Sequence, residues 1–271
     1  MKFENIPITF QGETANLALY LLDDVVPEIQ KARPMVVICP GGGYAFVSPR
    51  EAEPVAMQML AIGCNAAVLT YSVAPVRYPV ALCQLALSVA HIREKAVEYH
   101  TDPDKIAVCG FSAGGHLAAS LGVKWQLPFM KALTQLENEA FRPNALILSY
   151  PVITSGAYAH ADSFVKLLDE GATENMLAQQ SLEGFVTPFT PPVFLWHTWD
   201  DDTVPVENSL LLATSLRASG VSLEMHIFPH GIHGLSLASK QTLNAEGIGV
   251  QQECQCWVSL AQDWLDRLFN I

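Results

Sequence analysis

Six short apolar runs, at 35–39, 66–71, 106–109, 145–150, 193–197 and 223–228, punctuate the chain. Segments with apolar residues at helical spacing lie between them, at 51–62, 80–99, 112–123, 206–219 and 251–268. Runs of four to six residues are strand length, and strands that alternate with helices imply parallel βαβ units with helices packed on the sheet. The expected fold is therefore α/β: a mostly parallel, doubly wound sheet covered by helices on both faces. The early segment 3–22 alternates apolar and polar residues in the manner of antiparallel edge strands. One interval, 154–192, has no convincing strand. It carries helix-like pieces at 164–168 and 175–179, then the proline-rich TPFTPP. Lying between two consecutive strands, it is expected to form a small helical cap inserted into a single domain spanning 1–271.

With 271 residues, half of them apolar, the chain can bury a substantial core. A net charge of −12 argues against nucleic acid or an anionic membrane as partner. The first ten residues, MKFENIPITF, lack the basic and apolar regions of a secretory leader, and no apolar run is long enough to span a bilayer. The expected address is cytoplasmic. Of the six cysteines, four sit within apolar strand-like or helix-like stretches, where a thiol packs as a small hydrophobe. Cys254 and Cys256 have no second Cys or His pair at zinc-binding spacing, so neither a metal nor another cofactor is expected.

The third of these strands runs into GFSAGGH, residues 110–116. The pattern is G-x-S-x-G, with Gly110, Ser112 and Gly114 at its fixed positions. It describes a sharp strand-to-helix turn that exposes a serine hydroxyl at the end of a sheet. Ligands of open parallel sheets bind at the carboxyl ends of strands. Two later strand ends carry the remaining chemistry: WHTWDDDTVP at 196–205 supplies carboxylates and FPHGIHGLS at 228–236 supplies histidines. A serine hydroxyl needs a base to become a nucleophile, an imidazole is a suitable base, and a carboxylate fixes the imidazole tautomer.

Four stretches in order, CPGGGY at 39–44, GFSAGGHLA at 110–118, DDTVPVENS at 201–209 and GIHGLS at 231–236, resemble the α/β-hydrolases of the esterase/lipase type. More narrowly, the chain resembles small acetyl-xylan-esterase-like hydrolases of sugar esters. The resemblance implies a triad of Ser112, His233 and Asp201. In the family the carboxylate precedes a Val-Pro step by three residues, which Val204 and Pro205 translate to Asp201, ahead of Asp200 and then Asp202. His233 matches G-x-H-G; His197 and His116 read as packed structural residues. The backbone N–H of Ala113 and those of Gly42 and Gly43 are the expected oxyanion donors, with Pro40 where the related HGGG loop has His. Tyr44 and Trp199 are the aromatic candidates for contact with a sugar ring. The implied function is hydrolysis of short-chain esters, acetyl esters of sugars or xylo-oligosaccharides, through an acyl-enzyme. A peptidase or acyl-aminoacyl hydrolase, a short-chain lipase and an inactive binding module of the same fold are the alternatives.

Overall fold

A computed structural model describes residues 1–23 and 32–270. Eight strands form one sheet: β1 (Lys2–Phe10), β2 (Glu13–Leu21), β3 (Arg33–Cys39), β4 (Asn65–Thr70), β5 (Thr101–Phe111), β6 (Ala145–Ser149), β7 (Val193–Thr198) and β8 (Leu223–Phe228). Their spatial order is β1-β2-β4-β3-β5-β6-β7-β8. The β1–β2 and β2–β4 pairs are antiparallel and every other pair is parallel. The early segment thus forms the expected antiparallel hairpin at one edge.

The strand period of two divides the core into halves. Val37, Leu69, Val108, Leu148 and Leu195 face one side. Ile38, Val68, Cys109, Ile147 and Trp196 face the other. Helices α2 (Val80–Glu94), α3 (Ala113–Lys124) and α7 (Glu207–Ala218) contribute to the first half. Helices α1 (Glu53–Ala61) and α8 (Trp257–Phe269) contribute to the second. Of these, α8 is the most clearly two-sided: Trp257, Ala261, Trp264, Leu265 and Phe269 turn inward at helical spacing. A further helix, α4 (Pro128–Thr134), was not expected from the sequence; it is brief, starts at a proline and buries Met130 and Thr134.

The interval between β6 and β7 contains α5 (Ala161–Leu167), α6 (Glu174–Ala178) and a 3₁₀ turn (Leu182–Phe185), and no strand. Two buried side chains of α3 hold it. His116 Nε2 lies 3.0 Å from the Gln180 carbonyl, and Lys124 Nζ donates to the Gln179 carbonyl at 2.8 Å.

The chain moves from β3 to β4 on one side and returns to β5 on the other. The loops after β3 and β5 therefore diverge, leaving a crevice at the carboxyl end of the sheet. No described helix is long and apolar enough to cross a membrane.

Candidate active site

Ser112 occupies the crevice between the ends of β3 and β5. It sits between β5 and α3 with φ 51° and ψ −118°, a conformation that L-residues adopt only when their surroundings force it. Its backbone is held on both sides: the N–H donates to Ser149 O at 3.0 Å, and the carbonyl accepts from His116 and Val152, each at 3.1 Å. Close approach explains the flanking glycine. A Cβ on Gly114 would lie 2.1 Å from the Cys39 carbonyl oxygen, so the first turn of α3 presses directly on the end of β3. The same helix start leaves the Ala113 N–H without an intrahelical acceptor.

His233 and Asp201 arrive from the loops after β8 and β7. The Ser112 hydroxyl lies 2.8 Å from His233 Nε2, and His233 Nδ1 lies 2.7 Å from Asp201 Oδ2. Asp201 Oδ1 accepts the N–H groups of Thr203 and Val204 at 3.0 and 2.9 Å. Burial by itself would raise the Asp201 carboxyl pKa. Hydrogen bonds from His197 and His233, the charge of His233 and the Val204 N–H outweigh it and hold the group well below the carboxylate range. Asp200 points elsewhere, pairing with exposed His230 at 3.0 Å, and Asp202 contacts the Thr203 hydroxyl.

The glycine loop after β3 faces the serine. A Cβ on Gly41 would lie 3.0 Å from that of Ser112, so the loop and the nucleophile are in contact. Gly41 gives its own N–H to Glu51 Oε2 at 2.8 Å. Among the described residues none accepts the N–H of Gly42 or Gly43, which leaves both available to a ligand. The anchoring that a histidine would supply at position 40 comes from other groups. Tyr71 Oη donates to the Pro40 carbonyl at 2.6 Å, and Ala45 and Phe46 close a turn onto the Gly42 carbonyl.

The two aromatic candidates part company. Tyr44 is not at the surface: it is 3% exposed, and its hydroxyl lies 2.8 Å from His116 Nδ1. Its ring packs edge-on to Tyr71 and His116, so it secures the loop and offers no face to a sugar, correcting the expectation. Trp199 is 62% exposed, at the end of β7 beside the aspartate loop.

Several neighbours carried no motif. His197, fully buried, sets Nε2 3.3 Å from Asp201 Oδ2 and Nδ1 2.7 Å from Ser209 Oγ, making it a second imidazole on the same carboxylate. His160, in the insertion, bonds Ser163 through Nδ1 at 2.8 Å. Burial lowers its pKa, and the charge of His233 lowers it further, which puts this ring within electrostatic reach of the site. Glu51 and Tyr150 lie beneath the glycine loop and the His233 ring. No pattern over a few residues could have found Glu51 and Tyr150, because their partners lie 10 to 99 residues away. Among the described residues no group of three or more His, Cys, Asp or Glu side chains is arranged to hold a metal ion.

Residues 22–216 match the model of the family BD-FAE, a span that includes Ser112 and Asp201 and stops short of His233. An endo-1,4-beta-xylanase B of Butyrivibrio fibrisolvens is 39% identical over 85% of this chain and 36% of its own length. An acetylxylan esterase of Xylanibacter ruminicola is 27% identical over 86% of this chain and 49% of its own. The chain thus spans between about a third and a half of these two relatives. Among solved structures, an acetyl ester-xyloside bifunctional hydrolase from Caldicellulosiruptor lactoaceticus superposes with a TM-score of 0.85 at 34% identity, covering 99% of this chain and 97% of that one. A carboxylesterase from Lactobacillus plantarum superposes with a TM-score of 0.86 at 31% identity, covering 98% of both chains. The chain belongs to the BD-FAE family and has the α/β-hydrolase fold.

Proposed function

We propose that the protein is a serine esterase that hydrolyses short-chain carboxylic esters, with acetyl esters of sugars or xylo-oligosaccharides as its substrates. The observation that carries this reading is the hydrogen-bonded line from Ser112 through His233 to Asp201, with links of 2.8 and 2.7 Å. Neutral His233 takes the hydroxyl proton on Nε2 as Ser112 Oγ attacks the ester carbonyl carbon. Its Nδ1–H remains donated to Asp201, whose charge stabilises the imidazolium. The carbonyl oxygen becomes an oxyanion facing the N–H groups of Gly42, Gly43 and Ala113; losing one such donor costs on the order of 10²–10³ in rate. Collapse of the adduct breaks the bond to the alcohol oxygen, which leaves with the proton from His233 Nε2. Water then repeats the sequence on the acyl-serine and releases the acid.

The sugar part of the reading is supported by relatives named for xylan and xyloside chemistry, and by Trp199, a free indole face beside the aspartate loop. The charge of −12 favours neutral sugars over uronic acids. Six free cysteines, five of them buried, fit a cytoplasmic address.

A fluorophosphonate should add once, at Ser112, and abolish hydrolysis of p-nitrophenyl acetate; labelling elsewhere would remove the triad assignment. Rates across p-nitrophenyl esters should peak between acetyl and butyryl, and acetylated xylo-oligosaccharides should release acetate. A rate rising to octanoyl, or cleavage of peptides with no acetate from any sugar ester, would overturn the substrate reading and leave the nucleophile standing.

A further inference from the structure

Glu51 is a buried carboxylate that the acyl-transfer steps do not use. It is 3% exposed and lies just before α1, behind the glycine loop. Each oxygen takes a hydrogen bond from a different part of the site. Oε2 accepts the Gly41 N–H at 2.8 Å, and Oε1 accepts the Tyr150 hydroxyl at 2.6 Å. The Tyr150 oxygen in turn accepts the N–H of Ser236 at 2.8 Å, and the Tyr150 ring packs edge-on to His233 with centroids 5.1 Å apart. The preceding residue works in the same direction. Arg50 donates to the Gly234 and Thr242 carbonyls, and its own carbonyl accepts from the Ser236 hydroxyl at 2.7 Å.

We propose that Glu51 is a positioning residue that sets the register between the two halves of the site, the oxyanion loop at Gly41–Gly43 and the segment Gly231–Ser236 that carries His233. The argument is one of geometry and cost. A carboxylate taken out of water is expensive unless its oxygens are satisfied, and an apolar side chain of similar size would fill the space at lower cost. What an apolar side chain lacks is a pair of acceptors at fixed separation. Gly41 leads directly into the donors of Gly42 and Gly43 and touches Ser112, so rotation of its peptide displaces the oxyanion donors from the nucleophile. Tyr150 bears on His233 from below, so one carboxylate fixes where the oxyanion forms and where the proton goes. Interactions of this kind act in the transition state and leave ground-state binding of the ester largely alone.

The inference rests on Ser112 and His233 being the reacting groups, which the fluorophosphonate label tests independently. The variants are Glu51→Ala, Glu51→Gln and Tyr150→Phe, each checked for native circular dichroism. With p-nitrophenyl acetate, Glu51→Ala should lower kcat by about 10², comparable to loss of an oxyanion donor, while KM changes by less than about threefold. The rate of fluorophosphonate labelling should fall in parallel. Glu51→Gln should recover part of the loss, because the amide oxygen still accepts from Gly41, while the amide N–H donates to the Tyr150 oxygen and leaves that hydroxyl proton without its acceptor. If Glu51→Ala does not fold, Tyr150→Phe carries the test: it keeps the ring, severs the link, and should lower kcat by about tenfold at unchanged KM. A folded Glu51→Ala with kcat near wild type, a loss confined to KM, or no recovery by Glu51→Gln would overturn the proposal. So would an unimpaired Tyr150→Phe where Glu51→Ala fails to fold.

Discussion

Three consecutive aspartates occupy the loop after β7, and the structure gives each a different set of partners. Asp201 is buried and satisfied by His233, His197 and two backbone N–H groups, whereas Asp200 is bonded to exposed His230. Asp201→Asn should therefore lower kcat by about 10⁴, the size of the loss when the corresponding serine-protease aspartate is so replaced, because an amide selects the wrong imidazole tautomer. Asp200→Asn should leave kcat within about threefold, since its contacts are at the surface. Steady-state rates of the two variants decide between the positions. Because the Asp201 carboxyl is held well below its usual range, it stays ionised as pH falls through 4. The acid limb of kcat/KM should accordingly contain no protonation of Asp201, and a two-proton limb would contradict it. Ser112 and His233 were legible because the turn and loop that present them have local sequence requirements. Glu51 was not, since its partners Gly41 and Tyr150 lie 10 and 99 residues away and no spacing rule relates them.

The elements legible from sequence were those whose apolar pattern is set by the sheet. Burial on both faces makes β3, β4, β6 and β7 nearly continuous apolar runs, and each was expected within two residues of its observed ends. Elements shaped by tertiary contact were read less well. β5 begins at Thr101, earlier than its apolar run, because Thr101 pairs with Arg33 across a register shift. Helix α5 starts at Ala161, three residues ahead of its expected apolar piece, in a segment pinned by His160 and Ser163. A close junction between elements is α3 against β3, which gives a direct test. Gly114→Ala would drive a methyl into the Cys39 and Pro40 carbonyls and should destabilise the protein by at least the 1–3 kcal/mol or so typical of overpacking. Gly184→Ala is the control: a Cβ there meets nothing within 4 Å, and the effect should stay within about 0.5 kcal/mol. Urea denaturation of both variants measures the difference.

At the scale of the whole molecule, α3 buries two basic groups that an unfolded chain would leave in water. Burial pushes His116 down to about 3 and Lys124 down to about 7. Between about 3 and the ordinary histidine value of about 6.5, the unfolded chain binds a proton at position 116 that the folded one does not. The same holds at position 124 between about 7 and the ordinary lysine value of about 10.4. At each of the two positions the unfolded state holds more protons in that window, so the contribution of each to stability rises with pH. The urea midpoint should climb from pH 5 to 7; from 7 to 9 the five buried thiols, whose pKa values burial raises, oppose Lys124, so its contribution is read as a rise of the wild-type midpoint relative to that of Lys124→Met. A wild-type midpoint unchanged from pH 5 to 7, or a constant difference between wild type and Lys124→Met from 7 to 9, would contradict this account. The distribution of the site along the chain has a consequence for assembly. The hydroxyl and the imidazole it meets are 121 residues apart, and among the described residues β8, which leads to His233, pairs only with β7 at the edge of the sheet. The strained serine is held by Ser149 and Val152 as well as by β5 and α3, so it is set only once β6 has joined the sheet, and His233 meets it only when the edge strand has docked. Reactivity toward an acylating probe should therefore report a sheet complete from β3 to the edge strand β8 rather than the formation of the serine turn alone.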